Sequence, residues 1–228
     1  MRNKVTKGYM ILAVAYMFIL MVSNLMAGKL LLLGGPGGIV LDCATIIFPL
    51  VYIMSDLMTE VYGIELSMLS IRINVICSVV MAGLLLLLVY LPYPSFWQGQ
   101  EAYAKVFTTT PRIIVASLCA YYFGDWSNSA ILSVLKIKAP KKGFAYRAIF
   151  STVVGQCVDT GIFVTLAFIG TMPGKILIQM MLAQYIFKVS YETICVPITT
   201  RVVVRWKKWD MTDHLDDLKK DKYNPFSV

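Results

Sequence analysis

Charge is scarce in this sequence. Asp, Glu, Lys and Arg make up 15% of its 228 residues, whereas soluble globular domains carry roughly a quarter. Histidine occurs once, as His214 close to the C-terminus. The five cysteines contain no CxxC pair, so zinc-ligand spacing is missing and no metal site is expected. P-loop and dinucleotide-binding fingerprints are missing too, and no cofactor is expected. No Ser/His, HExxH or paired-aspartate motif falls inside the apolar runs, which argues against an intramembrane enzyme and leaves no candidate catalytic residue. Strict alternation of apolar and polar residues is also lacking, which removes a membrane β-barrel.

Long apolar runs are what the chain has instead. Hydrophobic residues are 58% of the total, and the mean hydropathy is +0.70. A membrane-crossing helix needs about 20 mainly apolar residues. Six windows meet that need: Tyr9 to Leu33, Ile39 to Leu57, Leu69 to Leu91, Arg112 to Leu135, Phe144 to Ile169 and Ile176 to Val204. The expected fold is all-α, a polytopic bundle of six transmembrane helices over residues 1–206, followed by a polar tail over 207–228. The first window exceeds the about 7–15 residues of a signal-peptide core, so it reads as a retained helix. Cys43, Cys77, Cys119, Cys157 and Cys195 lie in or beside these windows and read as small buried apolar side chains.

The net charge of +8 is distributed in a telling way. Arg2, Lys4 and Lys7 precede the first window. Lys136, Lys138, Lys141 and Lys142 fill one inter-window loop, and Arg205, Lys207 and Lys208 follow the last window. The opposite side holds only Lys29, Lys105 and Lys175. By the positive-inside rule both termini are cytoplasmic, which agrees with six crossings of a cell inner membrane. No soluble basic face with interleaved aromatics exists for nucleic acid; the lipid bilayer is the expected partner, with a homodimer left open. Gly34 to Gly38 reads as an irregular turn and residues 92–110 as the longest external loop, ahead of a Pro111 suited to a first helical turn. Trp97, Trp126, Trp206 and Trp209 fall near window ends, as interfacial tryptophans do.

Polar side chains inside the windows are the candidate site. A charge at mid-bilayer costs at least about 2.5–3.5 kcal/mol, so such residues face the bundle interior. Asp42, Thr45, Pro49, Tyr52, Asp56, Glu60 and Gly63 recur at steps of three and four and are expected on one stripe of the second helix. Asp56 and Glu60 read as gating or coupling groups; the alternative is that they cap the next segment or pair with Arg72. Arg112 opens the fourth window, as a gate residue or as a snorkelling cation, and Asn128 can turn inward from that helix. Gln156, Asp159 and Phe163 share a face of the fifth helix, a carboxylate, an amide and an aromatic suited to a planar polar heterocycle. Gln184, Lys188 and Glu192 step by four along the sixth, with Asn24 contributed by the first. Lys188 and Glu192 could also simply neutralise each other.

The ordered segments SDLMTEVYG, PRIIVASLCAYYFGDWSN, GQCVDTGIF and QYIFKVSYETICVP resemble the queuosine precursor transporter family, within the vitamin uptake transporters. The matching positions are Asp56, Arg112, Asp159 and Lys188; some relatives differ at Glu60 and Gln156. The resemblance implies a six-helix importer of 7-deazaguanine compounds such as preQ0, preQ1 or queuine. The substrate shell would then be Asp159, Gln156, Lys188 and Glu192, with Phe163, Gln184, Asn24 and Asn128, and the mode secondary active, since nothing here binds ATP. The alternative is the substrate-binding membrane subunit of an energy-coupling-factor importer that needs a separate ATPase, although the first window has no clean AxxxA docking pattern.

Overall fold

The computed structural model describes residues 6–33, 39–108, 111–138, 143–170 and 173–211. The Gly34 to Gly38 turn, Arg2, Lys4, Lys141, Lys142, His214 and the tail beyond Met211 lie outside the described residues.

Among the described residues there are seven α-helices: α1 (Lys7–Met26), α2 (Phe48–Tyr62), α3 (Ile64–Tyr90), α4 (Gln100–Thr108), α5 (Pro111–Lys138), α6 (Phe144–Phe168) and α7 (Gly174–Asp210). Three of them, α1, α3 and α6, are long and apolar enough to cross a membrane. The solvent for which this bundle is built is legible on α3. Its buried stripe is polar, with Ser67, Ser70, Asn74 and Ser78, while Ile76, Val80 and Leu84 are more than half exposed. Water would demand the reverse; hydrocarbon tolerates it, because apolar side chains lose nothing against lipid while polar groups must find partners inside.

Two expected elements differ. The stretch between α1 and α2 is not helical: β1 (Leu30–Leu33) and β2 (Ile39–Asp42) pair antiparallel, Leu30 opposite Asp42 and Leu33 opposite Ile39. A 3-10 turn, Cys43–Ile46, then leads into α2. Asp42 therefore does not belong to the helical stripe. Its carboxylate caps the turn, accepting from the Thr45 backbone N–H at 3.0 Å and the Thr45 hydroxyl at 3.1 Å. The segment 92–110, expected as loop, contains α4, whose Gln100 side chain donates to the Val89 carbonyl at 2.8 Å.

α2 is 15 residues long, about 22 Å, which is short of the roughly 30 Å hydrocarbon layer. It ends at Gly63, whose φ of 82° lies in a region open to glycine, and α3 begins at the next residue. A broken helix beginning inside the bundle is tolerated in a membrane protein where protein covers the irregular backbone. Asp42, Ala44 and Thr45 are buried accordingly.

α5 and α6 approach closely at two glycines. A Cβ on Gly124 would stand 3.1 Å from the Asp159 Cα, and one on Gly155 would stand 2.7 Å from the Asn128 Cβ and 3.1 Å from the Gly124 carbonyl oxygen. At one end of the bundle the first and last helices meet: Thr6, which caps α1, donates to Asp210 of α7 at 2.5 Å, and Tyr62 of α2 donates to the same carboxylate at 2.7 Å. α7 thus runs past Trp206, and its last turn is part of the bundle. It passes through the exposed Pro197 without a break. The five cysteines are free; Cys157 is exposed and the other four half-buried, so their expected full burial is not met. Trp126 lies mid-helix in α5 and packs on the core, not at a helix end.

Candidate functional site

Lys188 of α7 donates to Asp159 of α6 at 2.8 Å, and both side chains are at most 5% exposed. The same ammonium sits 4.5 Å over the centre of the Phe48 ring at the start of α2, a cation–π contact in a water-poor setting. Around this pair is a cavity of about 20 Å³, room for one or two waters. Its walls come from Ser23 and Asn24 of α1 with Ala27 just beyond it, Asp42 of β2, Ala44 and Thr45 of the turn, Phe48 of α2, Ser117 and Ala120 of α5, Phe163 and Asp159 of α6, and Lys188 of α7. The broken α2 explains the location, since its irregular entry places backbone and small side chains where an uninterrupted helix would fill the space.

Asn24 is half-buried here, accepting from Ser117 at 2.9 Å and donating to Ser78 at 3.4 Å. Gln184 donates to Asp42 at 3.0 Å, while its own carbonyl oxygen has no hydrogen-bond partner. Two further acid–amide pairs repeat the pattern. Asn128 of α5 donates to Asp56 of α2 at 2.6 Å. Gln156 of α6 donates to Glu192 of α7, whose other oxygen accepts from Thr152 at 2.7 Å. The Asn128 and Gln156 carbonyl oxygens also lack partners. Among the described residues, Asp42, Asp56 and Glu192 have no ion-pair partner.

Glu60 is different. Its carboxylate meets Arg147 of α6 at 2.7 Å and Lys207 of α7 at 2.9 Å, and Lys136 of α5 donates to its backbone carbonyl at 2.8 Å. Arg72 is exposed and is not its partner. Nineteen residues of α7 separate Lys188 from Lys207, roughly 28 Å of helix, so this cluster closes the basic end of the bundle well away from the cavity. Arg112 is exposed and holds the other end, donating to the Leu166 and Ile169 carbonyls at 2.7 and 2.6 Å and so capping the last turn of α6.

The sequence-predicted residues therefore separate into groups. Asp159, Lys188, Phe163 and Asn24 line one cavity, with Gln184 bonded to its wall. Asn128, Gln156, Glu192 and Asp56 form the neighbouring pairs. Glu60 and Arg112 stand near opposite ends. Sequence reasoning missed Phe48, Ser23 and Ser117 at the cavity, and it missed the tyrosines that join Asp125 in a buried chain, Tyr121 donating to Tyr16 at 2.8 Å and Tyr16 to Asp125. Phe48 had a signal, an aromatic directly before Pro49. The two serines had none.

Residues 42–202 match the family model described as "Putative vitamin uptake transporter". The chain belongs to that family. The match contains every cavity-lining residue except those of α1 and Ala27, and all three acid–amide pairs. A curated relative from Bacillus subtilis (strain 168), "Probable queuosine precursor transporter", is 28% identical over 100 residues, which is 43% of this chain and 44% of the relative. No solved structure matches. Membership and the apolar helices make this vitamin uptake transporter relative a multi-pass membrane protein.

Proposed function

We propose that this transporter imports a queuosine precursor, a 7-deazaguanine base of the preQ0, preQ1 or queuine type, across the cell inner membrane by secondary active transport. The observation that carries the reading is the Asp159–Lys188 pair inside a cavity walled by Phe48 and Phe163. A guanine-like edge offers adjacent N–H donors, which a carboxylate accepts in pairs, and a carbonyl, to which an ammonium donates. The partnerless Gln184 carbonyl is a further acceptor for such a donor-rich edge. The two phenylalanines offer faces for the ring. A 20 Å³ cavity does not admit a bicyclic base, so the state described is a contracted one. Binding would exchange the internal pairs for pairs with the ligand while the helices part.

Six crossings with both termini cytoplasmic remain the favoured topology, supported by the gathering of Arg147, Lys207 and Lys136 at the end where α1 begins and α7 finishes. Glu60 then gates the cytoplasmic face and Arg112 the outer one, with Asp56 as a coupling group between. Asn128, Gln156 and Glu192 adjoin the substrate shell one step further along the bundle.

Binding of guanine, preQ0, preQ1 and queuine to the purified protein, measured side by side, tests the reading. Tight binding of at least one deazaguanine, lost in Asp159→Asn, is expected. Equal indifference to all four would remove the substrate class. Uptake by proteoliposomes holding this chain alone excludes a subunit that needs a separate ATPase; uptake only after such a module is added would establish it.

A further inference from the structure

Two of the acid–amide pairs lie together. Asp56 and Glu192 are close enough to interact electrostatically, and Gly155, the neighbour of Gln156, faces the Asn128 side chain. The five side chains Asp56, Asn128, Thr152, Gln156 and Glu192 come from four helices, and each is at most 4% exposed. Both amides donate to a carboxylate, and the carbonyl oxygen of each is buried without a hydrogen-bond partner. Buried acceptors without donors are costly, and neither carboxylate has an ion-pair partner among the described residues. The cluster thus holds an excess of oxygen lone pairs, and the cation that acts on Glu192, Lys188, is already paired with Asp159.

We infer that these five residues form a binding site for a monovalent alkali cation, and that this cation is the coupling ion. The donor set is all oxygen: two carboxylates, two amide carbonyls and a hydroxyl. That composition suits a hard cation, and it lacks the thiolate or imidazole of soft-metal sites. A cation here would satisfy both orphaned carbonyls at once. The site is separate from the Asp159–Lys188 cavity, yet joined to it through α6 and α7, the helices that carry both. Ion occupancy can therefore bias the geometry of the substrate pair. The role as coupling ion rests on the transport reading above; the binding site itself does not.

The test is thermal unfolding of the purified full-length protein without substrate, at constant ionic strength, in NaCl, LiCl, KCl or choline chloride. A ligand bound only by the folded state raises Tm by mass action, and about 3–6 °C is expected once the favoured alkali ion exceeds its Kd tenfold. Asp56→Asn and Glu192→Gln, each isosteric, should lose that rise, while Arg72→Gln on the exposed face of α3 should keep it. A Tm that is the same in all four salts overturns the site, as does a rise that survives in both isosteric variants. Deazaguanine binding with no cation response would sink this inference and leave the proposed function standing. A cation response without base binding would do the opposite.

Discussion

Glu60 and Asp56 stand one helical turn apart on α2, both buried, and they are neutralised in unlike ways. Glu60 is held by Arg147 and Lys207. Asp56 has a single amide, Asn128. A carboxylate gripped by fixed cations from two other helices ties those helices together and has little to offer a mobile ligand. One attended by a neutral amide keeps its oxygens available. The first arrangement suits the closure, and the second the coupling group, proposed for these two acids. Asp159, with one lysine, falls between: it is neutralised, but by a group that can release it to a substrate.

Variants can break this comparison. The largest effect is expected from Lys188→Met, which strands Asp159 as a buried charge; a loss of about 3–5 kcal/mol is expected. The double variant with Asp159→Leu should recover most of that stability without recovering uptake. Denaturant or thermal unfolding in detergent, paired with an uptake assay, reads both. If the single variant is as stable as the parent, the pair does not carry the charge balance assigned to it. Arg147→Met comes next, at roughly 2–3 kcal/mol, less than a full break because Lys207 stays on Glu60. It should also loosen the basic end, visible as faster hydrogen exchange in the last turn of α2; unchanged exchange there would deny Glu60 its closing role. Asp56→Asn preserves shape and the contact with Asn128, so its stability cost should be below about 1 kcal/mol while uptake falls to background. Full uptake in this variant would erase the contrast between the two acids. Smallest of all is Lys207→Met. Its side chain is 20% exposed, and partly solvated pairs contribute about 0–1 kcal/mol; a larger loss would show Lys207, not Arg147, as the main partner of Glu60.

The meeting of Asp159 and Lys188 was legible because helical periodicity puts both on inward stripes, and a lone acid and a lone base at bilayer depth have strong reason to find each other. The same logic placed Gln184 and Glu192 on one face of α7. The partners of Glu60 were not legible. Arg72 lies nearer in sequence, but it falls on the outward side of α3, whereas Arg147 is 87 residues away and reaches Glu60 only because α6 packs beside α2. The hairpin was missed for a different reason. LLLL and IVLD are short apolar runs with no period of their own, and such runs do not distinguish strand from helix. What selected strands was their mutual pairing and the burial of Asp42 against Gln184, both tertiary facts. Cavity residues such as Ser23 and Ser117 are small and ordinary in a membrane helix, and only packing reveals them.

The clasp between Thr6 and Asp210 reaches beyond local stability. In the proposed topology the polypeptide leaves the sheet of lipid from the side on which it entered, having crossed it an even number of times. Reporters fused ahead of α1 and after α7 should consequently light up in one and the same compartment, whatever the count of passages in between.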